Sequence, residues 1–307
     1  DTAAVLLLDE AGDFLEARAA FGIEQEVREG VRIRVGKGFA GRIAAERRPV
    51  HLDRVDETTV ENPILWESGI DEGVRFDNVP RQKFACVVAT SHVYQLCDFA
   101  ARWAERLGEP SKPWRDKADR LRDFIRTKMW AEDDGFFYDV WARDDRRLRT
   151  EAFEGIWPVI VGAASDAEAQ RVINDWLLNP HRFFTKHPIA TVGVSDPKFE
   201  LRLWRGPAWN SMTYWAARAC VRYGRRDAAT RLLEAALDDS AAQFTRTGTI
   251  WEFYHPLGGF PETLERKPAS KTEHNPPTHD YLGHNPLIAM ARLWQQLNPG
   301  QIAVRTN

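Results

Sequence analysis

Apolar and polar positions repeat with two different periods along this chain, and the change falls near residue 60. Before it the pattern is strand-like. Val5–Leu8 is a short apolar run closed by the turn residues Asp9–Gly12, and Phe14–Ala20 reads as the returning strand. Arg32-Ile33-Arg34-Val35 alternates polar and apolar, as a half-buried strand does. Gly36–Gly41 breaks that strand, Arg42–Glu46 reads as helix, and Val50–Leu52 as a further short strand. After the change the period is helical. Leu96, Ala100, Trp103 and Leu107 share one helix face, as do Trp114, Ala118, Leu121 and Ile125. Leu233, Leu237, Ala241 and Phe244 form another such set, and Trp209, Met212, Ala216 and Ala219 a fourth, opening just after Pro207. Ala152–Ala164, Ala167–Leu178 and Pro286–Leu297 are also predicted helices. The pattern therefore predicts strands largely before residue 60 and helix from about 82 to 297.

Composition sharpens this boundary. All 12 tryptophans lie at or beyond Trp66. With 43% hydrophobic and 28% charged residues, the 307-residue chain can build a core. A net charge of -3 lacks the basic surplus that a nucleic-acid or anionic-membrane binder needs. The longest apolar runs fall well short of the roughly 18–20 residues that span a bilayer. Three cysteines, Cys86, Cys97 and Cys220, cannot make a disulfide framework, so the expected setting is cytoplasmic and the expected role of each is a small buried hydrophobe.

The long loops carry the chemistry. Trp66-Glu67-Ser68-Gly69-Ile70-Asp71 is followed by Arg75 and Asp77, Trp204-Arg205-Gly206-Pro207-Ala208-Trp209 opens a helix, and Trp251-Glu252-Phe253-Tyr254 runs into Gly258-Gly259. Two acids set beside Trp and Gly suit glycosidic cleavage. One carboxylic acid protonates the leaving oxygen, and one carboxylate activates water or attacks carbon. The competing reading is ordinary surface acids and core tryptophans.

These three motifs, in this order, resemble glycoside hydrolase family 63, in its mannosylglycerate and glucosylglycerate hydrolase branch, and more loosely the trehalase-like clan. The likeness covers roughly residues 63–297. It implies a mainly α fold, a partial (α/α)6 toroid, and inversion at the anomeric carbon of a small α-glucoside or α-mannoside. It places the general acid on Asp71 and the general base on Glu252. Sugar contacts fall on Trp66, Glu67, Trp204, Arg205, Gly206, Trp209 and Tyr254, and the ring of Trp251 is expected beside Trp204 and Trp209 on one concave surface. A helix-start acid for Glu67 and a structural ion pair for Arg205 remain the plain alternatives. No metal or cofactor is implied, and the expected partner is a small carbohydrate. Fewer helices stand before the acid motif than a full toroid carries, so a catalytically dead chimera is one alternative.

Residues 1–62 resemble the front of a GAF domain, a small α/β ligand-binding module, with Gly36–Gly41 and Arg42-Ile43-Ala44 matching its glycine turn. The expected organisation is thus a GAF-like segment over 1–62 and a toroid-like domain over 63–307, with a non-enzymatic sensor as the other function class. Gly36–Gly41 also fits a dinucleotide fingerprint, but lacks the surrounding strand–helix–strand unit. His274, His279 and His284 are spaced too widely for a typical zinc site and read as lone loop histidines.

Overall fold

A computed structural model describes residues 3–21, 32–47, 70–77, 84–141, 145–266, 274–281 and 285–300. The chain divides into two compact units, Asp1–Ile64 and Leu65–Asn307.

In the first unit, β1 (Ala3–Leu8), β2 (Phe14–Phe21) and β3 (Arg32–Arg34) form an antiparallel sheet in that order. The turn after β1 is closed by Asp9, whose Oδ1 accepts the backbone N–H of Asp13 at 2.9 Å and of Phe14 at 3.1 Å. α1 (Gly38–Glu46) follows β3 through the glycine turn. There the Gly36 N–H donates to the Gly41 carbonyl at 2.8 Å, and a Cβ on Gly41 would stand 2.4 Å from the Arg34 carbonyl oxygen. The glycines are needed for a close strand-to-helix approach. Leu6, Leu8, Leu15, Ala40, Ile43 and Ala44 line a hollow of about 460 Å³ in this unit.

The second unit is mainly α. Its helices are α2 (Val87–Leu107), α3 (Lys112–Phe124), α4 (Trp157–Val161), α5 (Asp166–Arg171), α6 (Asn210–Arg222), α7 (Arg226–Thr247) and α8 (Leu287–Leu297). α2, α4, α6 and α8 touch in sequence, α3 lies along α2, and α7 lies along α6 and α8. This is a row of helical hairpins, each burying its apolar stripe against the next.

Two features depart from the sequence pattern. Strands are not confined to the front of the chain. β4 (Phe84–Ala85), β7 (Asp139–Trp141) and β8 (Arg147–Leu148) form one small antiparallel sheet, and β5 (Trp130–Ala131) and β6 (Phe136–Phe137) another. Strands of two or three residues are too short to show a period of two. The helices predicted over 152–164 and 167–178 are also broken. The first is a 3₁₀ turn at Phe153–Ile156 followed by α4, and the second is α5 running into a π turn at Val172–Leu177. α5 opens on a capping box, with Ser165 Oγ accepting the Glu168 N–H and Glu168 Oε2 accepting the Ser165 N–H.

The core explains these breaks. Phe136 stacks on Trp176 at 3.9 Å between ring centroids, and both are fully buried. Gly155 lies so close to them that an added Cβ would meet the Phe136 ring at 2.3 Å. Tight hairpin-to-helix contact of this kind needs a chain that turns at short intervals. Cys97 and Cys220 are buried in the same core, while Cys86 is half-buried. Among the described residues, no helix is long and apolar enough to cross a membrane.

α2 carries apolar residues on two sides. Tyr94, Cys97, Ala101 and Ala104 face the core. The face the periodicity picks out, with Leu96, Trp103 and Leu107, is the exposed one, at 67%, 58% and 70% exposure.

Candidate active site

Glu252 is placed by backbone. α7 ends at Gly248, which adopts a left-handed conformation (φ 73°) and sends the chain back across the helix ends. The extended stretch that follows is held on both sides. Tyr254 and Ala208 exchange N–H···O bonds of 2.8 and 3.0 Å, which joins the 251–254 motif to the 204–209 motif. On the other side the Glu252 N–H donates to the Thr278 carbonyl at 3.1 Å, and the Tyr281 N–H to the Ile250 carbonyl at 3.0 Å. The Glu252 carboxylate is 4% exposed. Its Oε2 accepts Arg266 Nε at 2.6 Å and the Thr278 N–H at 3.1 Å. Among the described residues both bonds fall on this one oxygen. The bond to Glu252 raises the Arg266 guanidinium above its ordinary pKa. Arg266 is itself delivered by pairing of its neighbour Glu265 with Leu201 and Leu203, whose backbones run alongside.

Asp71 belongs to a loop, 70–77, with little regular structure beyond a 3₁₀ turn at Val74–Phe76. Side chains from distant parts of the chain fix it. Arg75 is 4% exposed and donates to Asp139 Oδ2 at 2.5 Å and to Glu154 Oε1 at 2.6 Å, both carboxylates being equally buried. Asp139 in turn accepts the Val87 N–H at 2.7 Å, tying the cluster to the start of α2. Arg205 forks onto Asp77 at 3.0 and 2.6 Å and reaches the Glu72 carbonyl at 3.1 Å. Its Nε is bonded to Glu200 at 2.9 Å. Arg202 pairs with the Glu72 carboxylate, and Lys198 Nζ donates to the Val74 carbonyl at 3.3 Å. The Asp71 charge adds a smaller upward push on the Arg266 guanidinium, after the larger effect of Glu252. Burial, then the Glu252 charge, push the Tyr281 hydroxyl up in pKa.

The other expected site residues fall into three groups. Trp66 and Glu67 lie outside the described residues. Trp204, Trp209, Trp251 and Tyr254 cluster around the two motifs, but their flat faces are occupied by protein. Trp204 stacks on Trp209 at 3.8 Å and 5°, Trp209 packs on Phe253 at 5.1 Å, Trp251 on His279 at 4.5 Å, and Tyr254 on His187 at 4.2 Å. All four are at most 6% exposed. Their rings are packed against protein rather than left as an open stacking platform. Arg205 and Gly206 are engaged in holding loops. The arginine's donors go to Asp77, Glu200 and Glu72, which is the ion-pair alternative for that residue. Gly206 lets the Glu200 carbonyl oxygen approach to where a Cβ would stand 2.2 Å away.

Arg266, Tyr281 and Thr278 are the residues that sequence reading missed. They sit in a stretch without periodicity; the bonds of Arg266 and Thr278 to Glu252, and the packing of Tyr281 on Trp209, are made only through space. His274 bonds to Glu265 and to the Glu262 carbonyl, and His279 packs on Trp251; His284 lies outside the described residues. Among the described residues no group of three His, Cys, Asp or Glu could hold a metal ion.

The second unit is thus a mainly α scaffold that buries Glu252 beside Arg266 and carries Asp71 on the 70–77 loop. Residues 33–274 match the mannosylglycerate hydrolase MGH1-like glycoside hydrolase domain, and the chain belongs to that family. It is 23% identical over 163 residues to the mannosylglycerate hydrolase of Rubrobacter radiotolerans, which covers 52% of this chain and 36% of that protein. The fold is similar to the family 63 mannosylglycerate hydrolase of Thermus thermophilus solved with glucose. That match has a TM-score of 0.52 and 19% identity, and covers 69% of this chain and 45% of the other. It is also similar to neutral trehalase from Saccharomyces cerevisiae, with a TM-score of 0.57, 18% identity and coverage of 73% and 40%. The chain spans less than half the length of each of these relatives.

Proposed function

We propose that this domain hydrolyses the α-glycosidic bond of a small glucoside or mannoside with inversion, Asp71 serving as general acid and Glu252 as general base. The observation that carries the reading is the Glu252 carboxylate. It is buried, with one oxygen tied to Arg266 and the Thr278 amide. In this reading the other oxygen orients a water. A base held this way keeps its lone pair aimed without reorganisation during the reaction. Asp71 supplies the proton to the departing oxygen. Inversion requires the carboxyl groups to stand roughly 6.5–9.5 Å apart, so that a water fits under the sugar.

The test is hydrolysis of mannosylglycerate, glucosylglycerate and trehalose, with the first-formed anomer followed by proton NMR. The β anomer is the expected first product. Asp71→Asn and Glu252→Gln should each lower turnover by about 10²–10⁴-fold, the range of general acid–base catalysis. Undiminished hydrolysis in both variants would assign the chemistry to other residues. An α product appearing first would show retention. For the first unit, the apolar hollow supports a second, separate role as a GAF-type small-molecule site. Calorimetry with small aromatic and nucleotide ligands on the Leu15→Glu variant checks it, and binding that survives this change would place the ligand elsewhere.

A further inference from the structure

α2 is a helix with two apolar faces and one described neighbour side. One face is buried against the core through Tyr94, Cys97, Ala101 and Ala104. The other carries Ala89, Val93, Leu96, Ala100, Trp103 and Leu107, spaced alternately four and three residues apart. That is the 3.5-residue repeat of a coiled-coil seam, sustained over five turns with no polar residue in it. Val93, Leu96, Trp103 and Leu107 are 40–70% exposed, and Phe99 beside them is 43% exposed. These side chains offer on the order of 500 Å² of apolar surface, more than the single scattered hydrophobics normal for a protein surface.

We infer that this seam is a docking surface for a second copy of the same chain, with the two α2 helices antiparallel about a two-fold axis at Asp98. The residue sizes support this partner. Under that axis Ala89 meets Leu107 of the second copy, Val93 meets Trp103, and Leu96 meets Ala100. Each layer sets a small side chain against a large one, which is how facing helices interdigitate without voids. A two-fold contact requires such self-complementarity, whereas an unrelated partner does not. Arg102 and Arg106 flank the seam, their guanidinium carbons 4.6 and 5.6 Å from the ring centroids of Phe99 and Trp103, so they cover the rim without entering it. The pair would bury about 1,000 Å², the lower bound for a specific interface, so association belongs in the micromolar range.

Sedimentation equilibrium on the full chain tests this. The mass should rise from 35.1 kDa toward twice that value with increasing concentration. Leu96→Glu/Trp103→Glu should weaken association at least 100-fold. Both positions are exposed, so the helical circular-dichroism signal should be unchanged. An independent variant, Ala89→Cys/Leu107→Cys, checks the orientation. Its two thiols lie about 27 Å apart on one helix, too far to bridge within a chain. A short bifunctional maleimide should therefore give a covalent dimer that the unsubstituted chain does not form. A mass that stays at that of one chain at every concentration, a dimer that persists in the glutamate variant, or no cross-link in the cysteine variant would each overturn the proposal.

Discussion

The two candidate catalytic acids are held by opposite means. Glu252 sits on an extended stretch whose neighbours on both sides are backbone, at Ala208 and at Thr278, so its place follows from main-chain hydrogen bonds that any side chains would allow. Asp71 sits on a loop whose backbone bonds among the described residues include Gly73 to Ile70 and Asp77 to Val74. Its place follows from Lys198, Arg202 and Arg205, three cations reaching in from other parts of the chain, and from the loop's own Arg75 reaching out to Asp139 and Glu154. The difference teaches where the site is vulnerable. The base should tolerate changes around it, while the acid loop depends on a few charge-assisted bonds, each with a partner left stranded if one side is removed.

The largest effect is expected at Arg75. Arg75→Met leaves Asp139 and Glu154 as buried carboxylates without their cation, and should cost about 3–5 kcal/mol in urea unfolding. A loss under 1 kcal/mol would mean that the acid loop is held by its other anchors. A smaller effect is expected at Arg205. Arg205→Lys keeps the charge but loses the two-pronged grip on Asp77. Because Asp77 is partly exposed, the stability loss should be near the low end for charged hydrogen bonds, about 1.5 kcal/mol. Turnover should fall further than that, by about 10- to 100-fold, since a shift of the acid by a fraction of its working distance is costly. Equal losses in the acid-loop variant and in a conservative Ile250→Val change on the base side would erase the contrast between the two regions.

The smallest effect concerns pH. Burial lowers the pKa of His92, whose ring packs edge-on to Trp157 at 4.4 Å, and of His255, beside the base strand. Both are favoured neutral in the fold. Unfolding frees them to take up protons below their ordinary value of 6.5. The unfolded state then binds more protons, so stability is fully present above that pH and declines as pH falls through the folded-state values. The urea midpoint should drop between pH 7.5 and 5.5, and His92→Gln should flatten that slope. A midpoint that rises on acidification would reverse the assigned sign.

Much of the helical unit was legible because amphipathic spacing survives without its context. α3, α6 and α8 begin and end close to where the 3.6-residue pattern does, while α7 begins seven residues before its first patterned position, Leu233. Pattern gave no warning of the two- and three-residue strands or of the breaks at Ile156 and Val172, since both are imposed by close packing around Phe136, Gly155 and Trp176. On α2 it selected the exposed face over the buried one, because a helix that is apolar on two sides carries no local mark of which side meets the core.

The candidate site divides the same way. The order of the motifs and the chemistry of Asp71 and Glu252 stand in the sequence, since an acid needs no partner to be recognised as one. What surrounds them was settled only by the tertiary structure. Arg266 is 14 residues beyond Glu252 and Arg205 is 128 beyond Asp77, and no local pattern links either pair. The tryptophans beside the motifs could equally have faced sugar or protein. Folding decided for protein, because two flat rings that meet face to face each bury apolar area that would otherwise stay in water. Residue type travels with the chain, but a partner is assigned only when distant segments are brought together.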